Sequence, residues 1–74
     1  MPRLPQVSGR EAVAAFERAG FRVTRQRGSH IAMVKAGWRQ TLSVPDHPFV
    51  RSGTLRALIR QAGLTVDEFV DLLR

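Results

Sequence analysis

A chain of 74 residues with twelve Lys and Arg against six Asp and Glu, a net charge of +6 and no cysteine has room for one small core. It cannot build a disulfide framework or a thiolate zinc site. No stretch approaches the roughly 20 apolar residues that cross a bilayer, and Met1-Pro2-Arg3-Leu4-Pro5 carries no apolar run after its charge. The expectation is one domain over residues 1–74, with residues 1–7 as a lead-in, cytoplasmic and without membrane contact.

The excess of positive charge favours a polyanionic partner, whose condensed counterions are released on binding. Eleven of the twelve cations are Arg, and a planar guanidinium grips phosphate with two hydrogen bonds where an ammonium is a point charge. A GC-rich or thermophilic source produces the same bias. Two histidines and scattered carboxylates stand at no metal-ligand spacing, so no metal and no cofactor are expected.

In chain order, Ser8-Gly9-Arg10-Glu11 is a capping box, with Ser8 and Glu11 each satisfying the other's free backbone donor at a helix start. Ala12, Val13, Phe16 and Ala19 form an apolar stripe as far as about Ala19, and Gly20 suits the left-handed stop. Phe21 to Arg27 then alternates, Gly28-Ser29 fits a two-residue hairpin loop with glycine first, and His30 to Lys35 returns. A turn at Ala36-Gly37 leads through Trp38 to a third strand ending at Val44, where Pro45 lacks a ladder donor. After the loop Asp46 to Arg51, Leu55, Leu58, Ile59 and Ala62 mark a second helix stopped by Gly63. Thr65-Val66-Asp67-Glu68 is the capping box of a third, with Val66, Phe69, Val70 and Leu73 on its stripe. The order αβββαα predicts an α+β fold, a three-stranded antiparallel sheet with helices on one face and the other face wet.

A two-residue loop pairs odd-numbered residues of the first strand with even-numbered residues of the second. Phe21, Val23, Ala32 and Val34 are thereby assigned to one face, the one expected to meet the helices, together with Arg25, Arg27 and His30 at the hairpin tip. Two flanking cations favour a neutral imidazole, which is a competent base. With an RNA phosphate on Arg25 and Arg27, His30 is suited to take the proton of the neighbouring 2′-hydroxyl and leave a 2′,3′-cyclic phosphate. The residue types alone leave open an ordinary, partly exposed histidine at a strand start.

The remaining candidates carry two readings each. His47 is either the acid that protonates the leaving oxygen or a turn residue beside Pro48. At Ser52-Gly53-Thr54 the free amides of a helix start suit phosphate beside Arg51, and capping by Ser52 or Thr54 is the plainer role. Arg56 and Arg60 form either a solvated face or, with Arg51, a groove-reading helix, although no preceding helix-turn-helix supports contact with DNA. Trp38 either stacks on a base or covers the edge of the core.

Two segments together are similar to a known family. They are Gly20-Phe21 through Arg27-Gly28-Ser29-His30, and Val44-Pro45 with His47, followed by Gly53-Thr54-Leu55-Arg56 and Gln61-Ala62-Gly63-Leu64. Over about Ser8 to Leu73 the chain resembles the HicA toxins of bacterial toxin–antitoxin modules. The resemblance implies a double-stranded-RNA-binding-domain-like fold and metal-independent cleavage of mRNA dependent on the histidine of Gly-Ser-His, here His30. It also implies inhibition by a HicB-like antitoxin, with DNA contacted only through that antitoxin. Arg25, Arg27, Gly28, Ser29, Arg51 and Thr54 are the candidate RNA contacts, and a noncatalytic RNA-binding module of the same fold is the alternative. Its departures are minor: the lead-in Met1 to Val7 is longer than in the shortest members, and Lys35-Ala36-Gly37-Trp38-Arg39 replaces the commoner polar turn. Both departures bear on substrate preference more than on activity.

Overall fold

The structure is a computed structural model and describes residues 3–74. Its elements follow the order α1 (Gly9–Arg18), β1 (Arg22–Arg27), β2 (His30–Val34), β3 (Leu42–Pro45), α2 (Ser52–Gln61) and α3 (Val66–Leu72). The strands form one antiparallel sheet in the order β1-β2-β3. This is the α+β arrangement expected of the double-stranded-RNA-binding-like fold.

Both capping boxes form. Ser8 Oγ accepts from the amide of Glu11 at 3.1 Å while the Glu11 carboxylate accepts from the amide of Ser8 at 2.8 Å. Thr65 and Glu68 repeat the exchange at 3.1 and 2.8 Å. Each box satisfies amides that a helix start leaves without intrahelical partners.

The helices cover one face of the sheet through Phe16, which is fully buried and packs on Phe69 at 5.2 Å and edge-on to Phe21 at 6.1 Å between ring centroids. Beneath them lie Ile31 and Met33 from β2 and Leu42 and Val44 from β3, all buried. The Arg18 guanidinium donates to the Leu72 carbonyl, tying α1 to the end of α3. Of the lead-in, Met1 and Pro2 lie outside the described residues. Leu4 packs on the core, Val7 is buried, and the Val7 carbonyl accepts from the amide of Val50 at 2.9 Å.

Three expectations need correction. Ala32 and Val34 do not face the helices; the buried alternates of β2 are Ile31 and Met33. The hairpin pairing holds near the turn, with Arg27 opposite His30 and Arg25 opposite Ala32, but a bulge between Val23 and Arg25 then sets Val23 against Met33 and Arg22 against Val34. One extra residue reverses the alternation, so Val23 joins the Met33 side while Arg25, Arg27 and His30 stand on the face turned away from the helices. Pro45 belongs to β3, opposite His30, which an edge strand tolerates because its outer side needs no donor. The N-cap of α2 is Arg51, with no side-chain capping bond. Ser52 and Thr54 lie inside the first turn, past the position from which a hydroxyl caps.

Candidate nucleic-acid interface

The hairpin tip is shaped by Gly28, whose φ of 59° contrasts with Ser29 outside the left-handed region, the pattern of a type II′ turn. That turn brings Arg27 and His30 face to face, with Arg25 one step further along the same side of the sheet. All three are exposed. The turn backbone is also used structurally: the Ser29 carbonyl accepts from the amide of Asp46 at 2.7 Å, and the Gly28 carbonyl accepts from Gln26 Nε2 at 3.1 Å.

His30 opens onto a shallow groove of about 370 Å³ between the sheet and the start of α2, lined by Ser43, Pro45, His47, Arg51 and Thr54, among others. The pairing of β2 with β3 creates it. Because His30 is opposite Pro45, the residues just past β3 emerge beside the imidazole, and the chain then turns into α2. The two candidate segments, separate in sequence, thus meet at one end of the sheet. The exposed α2 start adds first-turn amides that no side chain caps, a setting suited to an anion.

A clamp holds this corner. The Asp46 carboxylate accepts from Arg10 Nε at 3.1 Å, Arg10 Nη2 at 3.0 Å and Gln26 Nε2 at 2.9 Å, joining the β3–α2 loop to α1 and β1. The hydrogen bonds from Gln26 and Arg10 hold the Asp46 carboxyl below its ordinary range. Gly9 lets α1 approach, since a Cβ there would lie 2.0 Å from the Pro45 carbonyl oxygen.

Of the residues singled out from the sequence, His30, His47, Arg51 and Thr54 meet in the groove, while Arg25, Arg27, Gly28 and Ser29 lie on the hairpin beside it. Trp38 stands apart: its Nε1 donates to the Gln61 carbonyl at 2.8 Å, which fastens the β2–β3 connection to the end of α2. Sequence reasoning passed over Ser43 and Phe49. Strand parity was a signal for Ser43, which pairs with Ala32 on His30's side of the sheet, whereas Phe49 sits in an irregular loop with no period to read. Among the described residues, no group of three or more His, Cys, Asp or Glu side chains is placed to hold a metal ion, and no helix is long and apolar enough to cross a membrane.

The family model for the HicA toxin of bacterial toxin–antitoxin systems matches residues 9–64, which span α1 through the end of α2 and contain the whole groove. The chain belongs to the HicA toxin family. A solved toxin–antitoxin complex from Streptococcus pneumoniae contains a similar chain, 34% identical, with a TM-score of 0.70 over 78% of this chain and 98% of that one. No curated protein matches. Family membership makes this chain a toxin of the toxin–antitoxin class, and its shared segment includes both the Gly-Ser-His hairpin and the α2 start.

Proposed function

We propose that this HicA-family chain is an endoribonuclease that cleaves mRNA and so inhibits translation, with His30 as general base and no metal in the reaction. The observation that carries the reading is that His30 lines one groove with Arg51 and Thr54 at the start of α2, while Arg27 stands opposite His30 on the hairpin with Arg25 further along the same side of the sheet. A scissile phosphate seated there is held by cations and helix amides. His30 takes the proton of the adjacent 2′-hydroxyl, whose oxygen attacks phosphorus while the bond to the 5′-oxygen breaks. The departing 5′-oxygen takes up a proton in turn, so that the products are a 2′,3′-cyclic phosphate and a 5′-hydroxyl. Arg25, Arg27 and Arg51 offset the negative charge that grows on the phosphoryl oxygens, and the Gly28-Ser29 turn and Thr54 border the strand.

The same cationic face suits an antitoxin that presents carboxylates and covers His30. A HicB-like protein is the expected partner, and DNA is reached only through it. The neighbouring complex is itself a toxin–antitoxin pair, which supports this assignment.

Purified protein incubated with RNA in EDTA tests the reading. Wild type yields cyclic-phosphate ends, and His30→Ala, whose side chain is exposed, keeps its fold and loses about 10²–10⁴-fold in rate. A folded His30→Ala that cuts like wild type rejects the mechanism. Salt-sensitive RNA binding without any cyclic phosphate instead selects the noncatalytic binding module.

A further inference from the structure

We infer that His47 is the general acid of this reaction, delivering a proton to the leaving 5′-oxygen while His30 removes one from the 2′-hydroxyl. The inference rests on the ribonuclease reading above. In-line displacement has two ends, and a single imidazole at one end leaves the departing alkoxide, a very poor leaving group, without a proton donor. The chain has two histidines, and the fold places both in the lining of one groove.

That meeting follows from the register. His30 is opposite Pro45 at the end of the β2–β3 ladder, and His47 follows two residues later. The ladder continues through the bond from the Asp46 amide to the Ser29 carbonyl at 2.7 Å, and the His47 carbonyl accepts from the amide of Gly9 at 2.8 Å. The Asp46 carboxylate, clamped by Arg10 and Gln26, fixes the loop from the other side. Structural duty at this position therefore falls on the His47 backbone, and its exposed imidazole is left in the groove. A phosphate at Arg51 and Thr54 lies in the same groove as the two rings, as the transfer needs. The balance is complete: the O–H bond of the 2′-hydroxyl breaks towards His30, the 2′-oxygen bonds phosphorus, the bond from phosphorus to the 5′-oxygen breaks, and the proton of imidazolium His47 caps that oxygen.

The decisive measurement compares an oligoribonucleotide with its counterpart carrying sulfur at the bridging 5′ position, because a thiolate departs without protonation. His47→Ala and His47→Asn are expected to cleave the oxygen substrate about 10²–10⁴-fold more slowly than wild type and the sulfur substrate at nearly the wild-type rate. His30→Ala stays slow on both. A His47 variant as fast as wild type on the oxygen substrate overturns the inference, as does one equally slow on both, which would make His47 a positioning residue; either result leaves the ribonuclease reading standing. Wild-type protein that produces no cyclic phosphate from either substrate removes that reading and this inference together.

Discussion

The carboxylate of Asp46 and the guanidinium of Arg10 meet through two parallel hydrogen bonds, Nε to Oδ1 at 3.1 Å and Nη2 to Oδ2 at 3.0 Å. This fork joins residues 36 positions apart in the chain. It fastens α1 to the loop that carries His47, so the corner holding the groove depends on a surface pair in which Asp46 is the more covered partner, with 25% of its side chain accessible.

The lowered Asp46 pKa links this corner to acid stability. A carboxyl whose folded pKa lies below the unfolded value stabilises the fold above the unfolded pKa, and that contribution disappears as pH falls through the folded one. Urea melts are expected to weaken below the ordinary carboxylate value of 3.8. Asp46→Asn should lower stability at neutral pH and show a flatter acid limb; a variant with the wild-type acid limb contradicts the assignment.

Gly9→Ala tests the close approach of α1 to β3. The added methyl would sit 2.0 Å from the Pro45 carbonyl oxygen and 3.0 Å from the Asp46 Cα, both backbone atoms that move only with the strand end. Destabilisation of about 1–3 kcal/mol is expected from such overpacking, visible as a lower urea midpoint. Unchanged stability would show that the two backbones separate freely.

Phe16→Ala removes the ring shared by Phe21 and Phe69. A buried Phe→Ala change costs about 3–5 kcal/mol, a large part of the stability of a domain this small. Circular dichroism should show substantial unfolding at room temperature. A cooperative melt close to that of wild type would mean that the core does not centre on this residue.

Arg25 and Arg27, on the face away from the core, are expected to act on RNA and not on folding. Replacing either with Gln should lower the salt slope of single-stranded RNA binding by roughly 0.7, the value for one lost phosphate contact. Stability should shift by less than about 0.5 kcal/mol, as for surface substitutions generally. Wild-type slopes in both variants would place the RNA elsewhere.

The local signals in the sequence were strong where a few neighbouring residues decide the outcome. Ser8 with Glu11, Thr65 with Glu68 and Gly28 with Ser29 each act within one turn of chain, so their caps and hairpin could be named from the residues alone. The odd-with-even pairing of Arg27 and His30 was equally local and held for two steps. It failed at the bulge before Arg25, because alternating residues read the same whether or not one extra residue is inserted, and only packing chooses.

The sequence by itself determined the order of elements, the cationic character of the chain and the two segments that resemble HicA toxins. Tertiary structure decided which face of the sheet those cations occupy. Burying Ile31, Met33, Leu42 and Val44 under Phe16 and Phe69 releases more apolar surface from water than the reverse arrangement would, and this turns His30 outward. It also decided that His30 and His47 share a groove, since 17 positions of chain separate them and only the β2–β3 register, locked by Asp46, brings them to one end of the sheet.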